Sequence, residues 1–156
     1  MKQTCLIVAD AGRARLFVVA PEEGPRRRPR LLEQAALADG EVKTRSRTGS
    51  GAVSSERNTN RKAGPMHPIA AQRERHRLEH ERRFGAEIVR HAVELTADWS
   101  EGVMVVIAEP RLLGLMRERL REALPPRIRL EALAKDYSGL SKSALERILI
   151  SQRLIE

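Results

Sequence analysis

The apolar positions divide this chain into short uninterrupted runs and longer stretches of helical period. Residues 4–9 (TCLIVA) are an apolar run of strand length, and Ala11-Gly12 behind it supplies a turn. Residues 13–20 (RARLFVVA) begin with alternation, Ala14, Leu16 and Val18 against Arg15, Phe17 and Val19, which predicts a second strand. So short a connection makes the two strands an antiparallel hairpin. Residues 21–29 form a turn-rich link, and residues 30–38 (RLLEQAALA) predict a third strand, although Leu and Ala also allow a helix. Residues 39–68 hold Gly, Ser, Thr, Asn and Arg with almost no large apolar side chain. A stretch that buries so little cannot offset its ordering entropy, so it is expected to be a flexible basic loop.

The second half of the chain changes period. Residues 69–99 predict one long helix. Its first half (AAQRERHRLEHERR) is charged on all sides and is expected to project into solvent, and its second half carries an apolar face through Phe84, Ile88, Val89, Ala92, Val93 and Leu95. Residues 103–108 (VMVVIA) are apolar without interruption, as in the middle of a parallel sheet. Glu109-Pro110 opens a helix that buries Leu112, Leu113, Met116 and Leu120 and ends near Pro125-Pro126. Residues 127–134 (RIRLEALA) alternate as a less completely covered strand, and Ser141 starts a last helix with Leu145, Ile148 and Leu149 inward. The order β-β-β-α-β-α-β-α implies an α/β fold: a mixed five-stranded sheet in the order 3-2-1-4-5 with helices on its faces, the ribonuclease H-like topology. At 156 residues and 41% hydrophobic, the chain is expected to form a single domain over 1–156.

Charge alters this picture because it is unevenly placed. The formal net charge is +8, yet residues 24–30 carry +4 and residues 42–68 carry +5, which leaves −1 for everything else. The expected folded body is nearly neutral and the positive field belongs to two loop segments. The cations concerned are Arg26, Arg27, Arg28 and Arg30 in the first segment and Lys43, Arg45, Arg47, Arg57, Arg61 and Lys62 in the second. Mobile cations on a neutral scaffold suit a polyanionic surface such as RNA, the ribosome or anionic lipid. The aromatic residues are few, Phe17, Phe84, Trp99 and Tyr137, so a base-stacking platform is not expected and contacts should fall on phosphates. Cys5 stands alone inside an apolar strand, which excludes an internal disulfide and points to packing. The first apolar run breaks at Asp10, too short for a membrane span and without a cleavage site, so a cytoplasmic protein with no membrane insertion is expected.

Candidate chemistry is sparse. Asp10 ends the first strand, Glu109 ends the fourth and Asp136 follows the fifth, so all three belong at the carboxyl edge of the sheet. Such carboxylates are the donors a metal-dependent nuclease needs, although Asp10 also suits a turn and Glu109 a helix N-terminus. His76-Arg77-Leu78-Glu79-His80 spells H-x-x-E-H, but it lies among arginines that repel a cation and reads as a solvated helix face. Gly49-Ser50-Gly51 lacks the third glycine and preceding strand of a dinucleotide site, and no phosphate-binding Gly-Lys-Ser/Thr loop is present. No metal and no cofactor is expected.

Three stretches together resemble a known family: VADAGRARLF at 8–17, HRLEHERRFGAEIV at 76–89, and VIAEPRLLGLMRERL at 106–120 with KDYSGLSKSALERIL at 135–149. They resemble the bacterial host-attachment proteins, described as required for attachment to host cells. That family is similar in turn to the middle domain of archaeal and eukaryotic peptide chain release factors, which carries a Gly-Gly-Gln tip on the loop between its third strand and long helix. The corresponding residues here, 39–68, contain no Gly-Gly-Gln, so the resemblance implies ribosome or RNA binding through a basic loop without peptidyl-tRNA hydrolysis. The sequence thus leads to a non-catalytic RNA- or ribosome-binding module, with a nuclease using Asp10 and Glu109, or an interaction protein in attachment, as alternatives.

Overall fold

The computed structural model describes residues 3–20, 25, 28–39 and 67–155. Eight elements follow in order: β1 (Gln3–Ala9), β2 (Arg13–Ala20), β3 (Arg30–Ala38), α1 (His67–Leu95), β4 (Gly102–Ala108), α2 (Pro110–Ala123), β5 (Ile128–Ala134) and α3 (Lys142–Ser151). The strands form one sheet in the order β3-β2-β1-β4-β5. β1 pairs antiparallel with β2 and parallel with β4, β2 pairs antiparallel with β3, and β4 pairs parallel with β5. This is the mixed topology expected from the pattern.

The strand faces sort the core into two layers. Cys5, Ile7, Ala9, Ala14, Leu16, Met104 and Val106 face Phe84, Ile88 and Ala92 of α1 and Leu112, Met116 and Leu120 of α2. Leu6, Val8, Phe17, Leu31, Val105 and Ile107 face the other way, onto Leu145 and Leu149 of α3 and onto Ile155. β1 and β4 are apolar on both faces because both are covered, and each Leu, Ile or Val so buried contributes about 1.5–3 kcal/mol. Cys5 belongs to this packing, and burial pushes its thiol pKa up to about 12, which keeps it protonated and unreactive.

β3 is a strand, as its tertiary place requires, despite helix-compatible residues. Pairing with β2 passes from Leu16↔Ala35 to Phe17↔Glu33, so Gln34 is a bulge residue on the outer strand. The carboxylate of Glu146 on α3 accepts from the Leu31 N–H at 3.0 Å.

The ends of α1 differ from the 69–99 expected. The helix begins at His67, since proline is tolerated in a first turn, and it stops at Leu95. There the bonds tighten to i→i+3, with Ala97 N–H to Glu94 O at 3.3 Å and Trp99 N–H to Thr96 O at 3.1 Å. Arg127 holds the turn by donating to the Trp99 carbonyl at 2.7 Å and to the Ala97 carbonyl at 3.3 Å. Of the loop expected over 39–68, residues 40–66 lie outside the described residues, and residues 67 and 68 belong to α1.

α3 ends in a Schellman turn: Leu154 N–H donates to Leu149 O at 2.9 Å and Arg153 N–H to Ile150 O at 3.0 Å. The turn delivers Ile155 to the core, but its left-handed position is held by Arg153 at φ 56°. Arg153→Gly is therefore expected to raise stability by about 1 kcal/mol, read as a higher chemical-denaturation midpoint.

Two other glycines make an opposed pair. A Cβ on Gly102 would stand 2.7 Å from the Trp99 ring and 2.8 Å from the Gln3 carbonyl oxygen, whereas one on Gly114 meets nothing within 4 Å. Gly102→Ala is expected to destabilise by about 1–3 kcal/mol. Gly114→Ala, on the solvent side of α2, is expected to stabilise by about 0.5–1 kcal/mol, and thermal unfolding of the two variants separates them by sign.

Candidate functional site

The carboxyl ends of β1 and β4 lie side by side, Ala9 opposite Ala108, so Asp10 and Glu109 follow on neighbouring strands at one edge of the sheet. Asp10 builds its turn. Its Oδ1 accepts from the Gly12 and Arg13 amides, both at 2.8 Å, and its Oδ2 from Arg13 Nε at 3.3 Å. Partial burial by itself would raise the Asp10 pKa, but the Gly12 amide, the Ser138 hydroxyl and the two Arg13 donors outweigh it and hold the carboxyl below its ordinary range.

Ser138 reaches Asp10 because the segment from β5 to α3 crosses the edge of the sheet. Asp136 folds that segment: its Oδ1 accepts from the Ser138 hydroxyl at 2.6 Å and from the Ser138 amide at 3.2 Å. Farther on, Arg15 of β2 donates to the Leu140 carbonyl at 2.9 Å and pairs with Glu33 at 3.0 Å. Ser141 then caps α3 by accepting from the Ala144 amide at 3.2 Å. Asp10 and Asp136 are thus brought to one buried serine, while Glu109 caps α2 through its carbonyl alone.

The same edge holds the contact between α1 and α2. Arg111, in the first turn of α2, donates to Glu74 at 2.9 Å and lies 3.4 Å from Glu81 Oε2. The Glu81 side chain is 7% exposed, and among the described residues its Oε2 finds no hydrogen-bond donor and lies beside the Arg111 guanidinium. The bond from Glu74 holds the Arg111 pKa above its usual value, and that from Arg111 holds the Glu74 pKa below its own. α2 packs over Gly85, where an added Cβ would meet Met116 and Leu112 at ordinary contact distance.

Chemically, this edge is built of engaged groups. The Asp10 oxygens serve the turn and Asp136 serves Ser138. Among the described residues no group of three or more His, Cys, Asp and Glu is placed to hold a metal. His76 and His80 stack with their ring centroids 6.1 Å apart on the solvent side of α1, within the H-x-x-E-H stretch. Among the described residues no helix is long and apolar enough to cross a membrane.

The cations expected to bind nucleic acid are not all brought together. Lys43, Arg45, Arg47, Arg57, Arg61 and Lys62, like Arg26 and Arg27, lie outside the described residues. The two ends of the 40–66 segment are placed: Asp39, whose amide donates to the Gly12 carbonyl at 3.0 Å, and His67, at the start of α1. Both belong to the carboxyl side of the sheet. Arg28 and Arg30 are exposed at the start of β3, opposite Ala20 in register, and so sit at the amino edge. A nine-residue strand, about 30 Å, separates them from Asp39.

Over residues 5–149 the chain matches the family described as "Protein required for attachment to host cells". The chain belongs to this family. The match runs from Cys5 in β1 to Leu149 in α3 and so takes in β2 to β5, most of β1 and the crossing segment. No curated protein matches the chain. In this host-attachment family member, sequence reasoning missed Ser138, Arg13, Arg15, Glu81 and Arg111 as residues of the edge. The Asp-x-Ser spacing at 136–138 was the signal for one of the five, Ser138.

Asp10→Ala is expected to destabilise by about 1–2 kcal/mol at neutral pH. Because the folded-state pKa is depressed, that contribution is present above the unfolded carboxylate pKa and is lost as pH falls through the folded one. Denaturation of wild type and variant should therefore converge on acidification below about pH 4. Arg111→Met should lower the melting temperature by leaving Glu81 without its cation, and Arg111→Met with Glu81→Leu should recover most of the loss.

Proposed function

We propose that this member of the host-attachment family is a non-catalytic, cytoplasmic RNA-binding module, related to release-factor middle domains and acting on ribosomal or other structured RNA through its basic segment. The observation that carries this reading is the charge division: +5 in residues 42–68 against −1 outside the two basic segments. Several acids of the body are engaged internally, Asp10 with Arg13, Glu33 with Arg15, and Glu74 and Glu81 with Arg111, which leaves the segment's own cations as the source of field. The binding set is Lys43, Arg45, Arg47, Arg57, Arg61 and Lys62, whose segment starts and returns on the carboxyl side of the sheet. Attachment then depends on this protein indirectly, through the RNA or translation it acts on.

The test is co-sedimentation with purified ribosomes over a range of salt. Six phosphate contacts imply that the logarithm of the binding constant falls with log salt at a slope of about −5. Deleting residues 42–64 should leave the circular dichroism spectrum intact and abolish co-sedimentation. Undiminished co-sedimentation of the deletion variant would overturn the proposal.

A further inference from the structure

We infer that the outer turns of α1 bind double-helical RNA, with Arg75 and Arg82 seated on its phosphates; this rests on the RNA-binding reading above and adds residues on the described part of the chain. Residues 70–77 are exposed on every side of the helix, although they continue directly into the buried face that starts at Glu81. Two turns of helix without packing do not stabilise themselves in water. They are held by continuity with the buried half, by Arg111 reaching Glu74 and Glu81, and by the Arg77–Glu74 pair at 2.7 Å. The result is an exposed arm of helix braced against α2.

The bracing sorts the charges of the arm. Glu74 and Glu81, seven residues apart, are both drawn to α2, and Glu79 is taken by Arg83 at 3.2 Å. Arg75 and Arg82 each follow one of the inward acids in sequence, so they stand about 100° round the helix and about 10.5 Å from one another along it. Both are exposed, and neither forms an ion pair with a described residue. Among the described residues, the acids next to them on the helix are thus committed elsewhere.

The partner's chemistry follows from what the arm lacks. A helix that lies on lipid needs an apolar face opposite its basic one, and between residues 70 and 83 the one apolar side chain larger than alanine is Leu78. Single-stranded RNA is held by stacking on free aromatic faces, but Phe17, Phe84 and Trp99 are buried, Tyr137 is packed against the α3 layer, and the His76 and His80 rings of the arm stack on one another. Duplex RNA is recognised through its phosphates and 2′-hydroxyls by long polar side chains, which the arm supplies.

The experiment uses the full chain and a fluorescein-labelled RNA duplex of about 16 base pairs, titrated by anisotropy from about 50 to 200 mM salt. Arg75→Gln with Arg82→Gln should make the salt slope shallower by about 2 and weaken binding at every salt. Arg117→Gln with Arg121→Gln, an equal loss of charge from α2, should leave both unchanged, and circular dichroism verifies that each variant is folded. If the arm variant binds like the parent while deletion of 42–64 weakens binding, the arm inference falls and the RNA-binding reading stands. Equal losses from the arm and α2 variants would also overturn it, as a net-charge effect. If the parent ignores the duplex and instead binds vesicles containing phosphatidylserine, both readings fall.

Discussion

Two strands that are apolar on both faces must be covered on both sides, and most of this architecture follows from that requirement. β1 and β4 present buried side chains alternately to α1 with α2 and to α3. After β5 the chain has to change faces, and the route runs over the carboxyl edge of the sheet. That passage puts Ser138 beside Asp10 and the Leu140 carbonyl against Arg15. The polar cluster at the edge is a product of covering the sheet, and its hydrogen bonds satisfy backbone groups that the passage would otherwise strand away from water.

The same edge is where the neutral body meets its charged additions. One end of the basic segment is fixed by the Asp39 amide on the hairpin turn, and the other is α1, whose outer turns are reached from α2 by Arg111. Arg111 therefore does two things at once. It compensates a buried carboxylate, and it ties the exposed turns of α1 to α2 through Glu74. The amino edge, with Arg28 and Arg30, is too far away to share one small ligand with them.

Sheet order and helix faces were legible in the sequence because strand period, helix period and turn residues agreed along nearly all the chain. The Leu- and Ala-rich β3 was legible only through its neighbours, since a strand there completes the hairpin partner that its own residues do not demand. The site was less legible. Asp10 and Asp136 announce turns locally, but their meeting at Ser138 depends on a crossing that no local pattern encodes. Glu81 reads in sequence as one more charge in a solvated run, and its burial follows from the phase at which the helix enters the core. The bulge at Gln34 and the left-handed Arg153 carry no signal in residue type, because glycine or asparagine would have been expected at the latter.

The outer border of the sheet is shaped against growth. At β3 the Leu31 amide is already occupied by Glu146, and the extra residue at Gln34 breaks the even spacing that another strand would have to match. Leu32, 47% exposed, is the large apolar side chain on this border that water reaches. An incoming strand would have to displace a carboxylate and straighten a kink before gaining its first bond, so the border resists templated self-association even with that leucine in view.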